Sequence, residues 1–240
     1  MFLNPNLSGA LDRIAERAAD VRRAYTPGAI PRNDDVATSS SVADFTLDPL
    51  AVALPDATYL VTNEGDGTRT YTRNGALHLG EDGLCDADGK LIFGVRTPGA
   101  ALAPLCVDAV DEALGGVRDA SIERDGTLVY LRETIDPRSG NHESQRVVVG
   151  RVALARFPAG TRLETSDGNH CAAPPGVTAH VGVPNTEGFA PLLPMHRERS
   201  RIDVNESLVR LKEAYLAFDA LQAAETAKGR LGKTAMDLLK

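Results

Sequence analysis

The hydrophobic positions of this chain change period twice. Leu7, Leu11, Ile14, Ala18, Val21 and Tyr25 are separated by steps of 4, 3, 4, 3 and 4, the spacing of a narrow heptad seam on an α-helix. Ser8 can cap the start and Pro27-Gly28 end it, which predicts a helix within residues 1–28. Asp12, Arg13, Glu16, Arg17, Asp20, Arg22 and Arg23 fill the remaining surface, so the rest of that helix is solvated. A helix of three heptads is marginal in water and needs a partner. After it, residues 29–50 mix Pro, Gly, Ser and Asp without period and are expected to form a loose, poorly ordered linker.

From about residue 51 to 195 the period becomes two. "TYLVTN", "TRTYTRN", "GALHLG", "KLIFGV", "TLVYLR" and "QRVVVGRVALARF" alternate in the manner of strands and are rich in Tyr, Val, Thr and Ile. Asp66-Gly67, Asp82-Gly83, Asp88-Gly89, Asp125-Gly126 and Asp167-Gly168 punctuate them, and Asp-Gly suits hairpin turns because both residues tolerate positive φ. The period lengthens again near Asp203. Val204, Leu208, Leu211, Tyr215 and Phe218 step by 4, 3, 4 and 3, and Leu221 continues the stripe. Gly229 and Gly232 weaken this second helix, expected over residues 203–240, by about 1 kcal/mol each relative to Ala. The expected fold is mainly β with long N- and C-terminal α-helices. In that expectation an antiparallel domain of short hairpins is carried on a paired, coiled-coil-like stalk of the two helices.

Composition narrows the function. A net charge of −7 argues against nucleic acid and anionic membranes as partners, since counterion release needs clustered Lys and Arg. The lack of Trp and an aromatic content of 5% argue against a stacking platform for single strands. No segment approaches the apolar length of a membrane span, so direct membrane insertion is not expected. The opening residues lack a basic region followed by an apolar core, so the chain is expected to remain inside the cell or to leave without a cleaved signal peptide. Cys85, Cys106 and Cys171 are odd in number and widely spaced, which describes neither a disulfide framework nor a zinc site.

Candidate chemistry is sparse. Placing "EDGLCDADGK" on a calcium loop puts Leu84 at the first ligand position, where no oxygen is offered. The five histidines include no H-x-x-x-H pair, and adjacent His170 and Cys171 point to opposite faces of a strand. There is no nucleophile elbow, phosphate loop or dinucleotide fingerprint. Catalytic residues, cofactors and metal ligands are therefore expected to be absent, although carboxylates that meet only in the fold would escape a reading of spacing.

One stretch carries a resemblance. Residues 59–95 contain Tyr71-Thr72-Arg73, Gly75, Gly83, Leu84, Gly89 and Gly94 in an order that resembles the signature of the bacterial flagellar rod and hook proteins. Thr26-Pro27-Gly28 after the first helix, and Ser200 and Asp203 before the last, are similar to the same family's pattern. Asp20, Arg23, Arg201 and Leu221 depart from it, replacing polar residues of the family. The resemblance implies a structural subunit of the basal-body rod that assembles through its end helices. Leu7, Leu11, Ile14, Ala18, Val21, Tyr25, Leu208, Leu211, Tyr215, Phe218 and Leu221 would then be assembly positions. It also implies the flagellum as location, further copies and other axial proteins as partners, and passage through the flagellar export apparatus. The departures leave a second expectation: a divergent relative that does not polymerise and acts as a cap, a regulator or a secreted binding protein.

Overall fold

The computed structural model describes residues 5–29, 42–55, 57–63, 67–107, 117–135, 142–165, 169–186 and 188–238. Most of the expected linker, residues 30–41, lies outside these, as do Asp66 and Asp167-Gly168 of the expected turns. The chain divides into two compact units, residues 1–25 with 202–240, and residues 26–201.

The larger unit is built from strands, and every described pairing is antiparallel. One sheet has six strands in the order Glu164–Thr165, His170–Ala172, Arg69–Thr72, Thr58–Asn63, Leu154–Arg156, His180–Gly182. A second has five, in the order Ala103–Pro104, Phe93–Val95, His142–Val152, Thr127–Ile135, Val117–Ile122. Three two-stranded ribbons complete the unit; one pairs Ala43–Phe45, within the reach of the expected linker, with His196–Glu198. The fully described Asp-Gly pairs, Asp82-Gly83, Asp88-Gly89 and Asp125-Gly126, lie at or beside turns between strands. Gly126 has φ of 81° and its N–H donates to Glu123 O, while the Thr127 amide donates to Asp125 Oδ1 at 3.0 Å.

The long run "QRVVVGRVALARF" serves two sheets. His142–Val152 belongs to the five-stranded sheet and Leu154–Arg156 to the six-stranded one, with the break at Ala153. Two cores follow. Alternate residues of a strand face opposite sides, and the strand Thr58–Asn63 is buried on both. Leu60 joins Val52, Leu84, Ile92, Leu128 and Leu154 on one side, and Tyr59 and Val61 join Tyr71, Ala155 and Phe157 on the other. The Tyr71 and Phe157 rings meet edge to face, centroids 4.9 Å apart.

The smaller unit contains the only two helices among the described residues, α1 (Pro5–Arg23) and α2 (Val204–Leu238), which pack together. The expected stalk of two long paired helices is not what forms. α1 has 19 residues and α2 has 35, or roughly 28 Å against 52 Å at 1.5 Å per residue. α1 is thus long enough to flank only about half of α2, and the larger of the two units is built on strands. The seam is also rotated from its expected face. Among the described side chains of α2, those withdrawn from solvent are Val204, Ser207, Leu211, Ala214, Phe218, Leu221 and Glu225, with steps that begin 3, 4 instead of 4, 3. α1 likewise buries Ala10 and Ile14 and leaves Leu11 41% exposed. An α-helix repeats every 3.6 residues, so both stepping orders share half of their positions. Which one is buried depends on the side chains, and here small Ala10, Ser207 and Ala214 occupy the covered face.

Candidate functional site

The best-defined polar constellation lies where residues 26–29 and 198–201 run beside each other in the β unit. Gly28 donates from its amide to the Glu198 carbonyl oxygen at 3.1 Å, and the Arg201 amide donates to the Ala29 carbonyl oxygen at 2.9 Å. Gly28 has φ of 66°, and a Cβ built there would stand 2.3 Å from the Arg73 carbonyl oxygen. No other residue fits that position.

Beneath this pair of segments sits an ion cluster. Arg73 Nε donates to both carboxylate oxygens of Glu198 at 3.1 and 3.0 Å, and Nη2 donates to Oε2 at 2.7 Å. Arg73 Nη1 donates to the Thr58 carbonyl oxygen at 2.7 Å, and the guanidinium lies 5.7 Å from the Tyr59 ring centroid. Arg201 Nη2 adds a second cation 3.2 Å from Glu198 Oε1. Arg73 is 3% exposed and Glu198 1%. Burying charges is costly, and it is tolerated here because the forked guanidinium matches the carboxylate and Nη1 is taken by the Thr58 carbonyl, although Arg201 Nε stays buried without a partner. Burial also drives the Tyr59 hydroxyl pKa up to about 12, against a smaller opposing pull from Arg73.

The motif residues fall into structural roles. Tyr71, Thr72 and Arg73 are buried. Gly75 backs onto Val52, whose carbonyl oxygen would lie 1.8 Å from a Cβ, and Gly83 and Gly94 are similarly pressed against Leu105 and Arg151 backbone. Gly89 occupies a positive-φ turn with open space around it. Thr26, Pro27 and Ser200 are half-buried beside the cluster's backbone bonds. Asp203 caps α2, its Oδ1 accepting from the Asn205 and Glu206 amides at 2.8 and 3.1 Å.

The helix positions divide. Ile14 is buried, and Leu7, Ala18, Val21, Leu211, Phe218 and Leu221 are half-buried. Leu11, Leu208 and Tyr215 are exposed, the last two by 47% and 50%, and Tyr25 lies beyond the end of α1 and is 85% exposed. With Leu208 and Tyr215, Val209 and Leu216 form a second apolar stripe on α2 that repeats every seven residues and remains open, Leu216 at 59%.

Two arrangements escaped the sequence. Glu198 was not singled out, because nothing local marks it as the partner of an arginine 125 residues away. Asp86, Asp88 and His170 also converge, with their polar atoms within 4.8 Å of one another. His170 Nε2 lies 2.6 Å from Asp86 Oδ2, and Nδ1 lies 3.7 Å from Asp88 Oδ2. Asp86 Oδ1 meanwhile accepts from the Asp88 and Lys90 amides at 3.0 Å each. The two ring nitrogens face different carboxylates. The arrangement fastens the 86–90 turn to the strand His170–Ala172. An open apolar groove of about 670 Å³ lies elsewhere on the β unit, walled by Val95, Leu102, Val148 and Val181 with Arg96 and Arg151 beside them, and its described lining contains no carboxylate. None of the three cysteines forms a disulfide, and Cys85 is buried with its thiol pKa raised chiefly by burial.

No family model matches the chain, and a search of curated proteins finds no match either. No helix among the described residues is long and apolar enough to cross a membrane. The likeness to flagellar rod and hook proteins therefore rests on the motif residues alone.

Proposed function

We propose that this protein is a structural subunit of the bacterial flagellar basal-body rod type, which assembles with its own copies and with other axial proteins. One observation carries the reading. The stripe Leu208, Val209, Tyr215 and Leu216 stays in solvent although α1 already packs on α2. A soluble helix that keeps a heptad-spaced row of large apolar residues open is suited to burying it against another chain. Heterologous contacts of that kind, repeated, extend into an open helical array.

The motif residues support the same reading from the other side. They build turns, close backbone approaches and a buried ion cluster, which are the tasks of a scaffold. In this account the β unit is a rigid module and the helices supply adhesion. The test is to locate a tagged copy by electron microscopy of purified basal bodies, beside a form lacking residues 205–240. Incorporation of the full chain together with loss of incorporation on truncation supports the proposal. Normal incorporation of the truncated form overturns it. A full chain that is absent from basal bodies and remains a stable monomer points instead to the non-polymerising relative acting as a cap, regulator or secreted binder.

A further inference from the structure

We propose that the Arg73–Glu198 cluster is a latch that holds the segment leading to α1 through the one leading to α2, so that residues 26–29 are not fixed to the β unit unless residues 198–201 are in place. Glu198 makes the connection through two different groups. Its side chain binds Arg73 in the body, and its backbone oxygen takes the Gly28 amide. Arg201 closes the loop, with its side chain on the Glu198 carboxylate and its amide on Ala29. Gly28 in turn lies against the Arg73 carbonyl with no room for a Cβ. The side-chain contacts of Arg73 and Arg201 and the Gly28 amide bond all run through Glu198, which is itself held in place by pairing with Ala43.

The electrostatics make the latch all-or-none. If residues 198–201 lift away, Arg73 is left buried without its carboxylate, a state far costlier than either the closed cluster or full exposure. The same movement removes the acceptor of the Gly28 amide and the donor to Ala29. Small openings thus gain nothing, and the two segments leave in one step. A chain synthesised only as far as residue 197 cannot hold Thr26–Ala29 in place, so that segment waits for the far end of the sequence to arrive. The inference concerns the isolated chain and stands apart from the assembly reading.

Amide exchange followed by NMR on the full chain tests it. In the wild type at low urea, the Gly28 and Arg201 amides should share one opening step, below that of global unfolding. In Arg73→Lys, which keeps the charge but loses the fork, and in Glu198→Gln, both amides should speed up by the same factor, within about twofold. The amides of Leu60 and Val61 should keep their wild-type rates. An ordinary local packing role predicts separate opening steps in the wild type, and acceleration of Arg201 alone in Glu198→Gln; either result overturns the latch. The wild-type measurement decides the matter even if a variant fails to fold.

Discussion

The two units of this chain handle apolar surface differently. In the β unit, Leu60, Leu84, Ile92, Leu105, Leu128 and Leu154 have essentially no contact with solvent. In the helical unit, Leu208, Val209, Tyr215, Leu216, Leu231 and Leu238 are all exposed. The first unit closes a fully buried core, although Phe45, Leu47 and Val148 stay exposed on it, while the second leaves a heptad-spaced stripe open along a helix of 35 residues. What the contrast teaches is that one chain can separate stability from adhesion. The sheets supply a module whose core closes on itself, and the helices retain the surface on which association can act.

The contrast can be broken first with paired truncations. Leu154→Ala should destabilise the β unit by about 2–5 kcal/mol, since a fully buried leucine leaves a cavity. Leu216→Ala should change the stability of the isolated chain by no more than about 0.5 kcal/mol, because its side chain is already wet. Urea unfolding of both variants checks this. Similar losses at the two positions would mean that the stripe is covered within the monomer.

Alkaline pH sharpens the comparison at the level of the β unit alone. Burial holds the Tyr59 hydroxyl at a pKa of about 12, above its ordinary value of 10.0. Below pH 10 the hydroxyl is protonated in folded and unfolded chains alike, and its contribution is fully present. Between pH 10 and about 12 the unfolded chain alone releases the proton, so stability falls as pH rises, by on the order of 1.4 kcal/mol per unit. Tyr59→Phe should flatten that part of the profile. Urea midpoints for both proteins on either side of pH 10 measure the difference, and equal slopes would contradict the assignment.

The smallest expected effect belongs to the helical unit. Asp203→Ala removes the acceptor of the Asn205 and Glu206 amides and should cost about 1 kcal/mol. Amide exchange should show the loss confined to the first turn of α2. Acceleration spreading into the strands would mean that the two units unfold as one.

The features legible in the sequence were those with a local signature. Period-two alternation marked the antiparallel middle, and Asp125-Gly126 identified its own hairpin, because a positive φ at glycine is a property of two adjacent residues. The seam was legible only to within one step. Leu11, Leu208 and Tyr215 were expected inside on size and spacing, but the covered face runs through Ala10, Ser207 and Ala214. Hydrophobic spacing near 3.6 fits both, and the choice is made by how closely two backbones approach. The joint pairing of long end helices does not form as expected, since a stripe on α2 does not reveal how much of it a 19-residue partner can reach. The ion cluster was out of reach for a different reason. Arg73 stood out within a motif, yet its carboxylate is 125 residues distant, and His170 meets Asp86 across 84 residues. Such pairs are set by sheet register, which no spacing in one sequence reports.

Sedimentation velocity on the purified chain, with and without the double substitution Leu208→Asp and Leu216→Asp, reaches the assembly claim most directly. The account predicts concentration-dependent association of the wild type and a folded monomer, with unchanged urea midpoint, for the variant. Association of the variant equal to that of the wild type would contradict it.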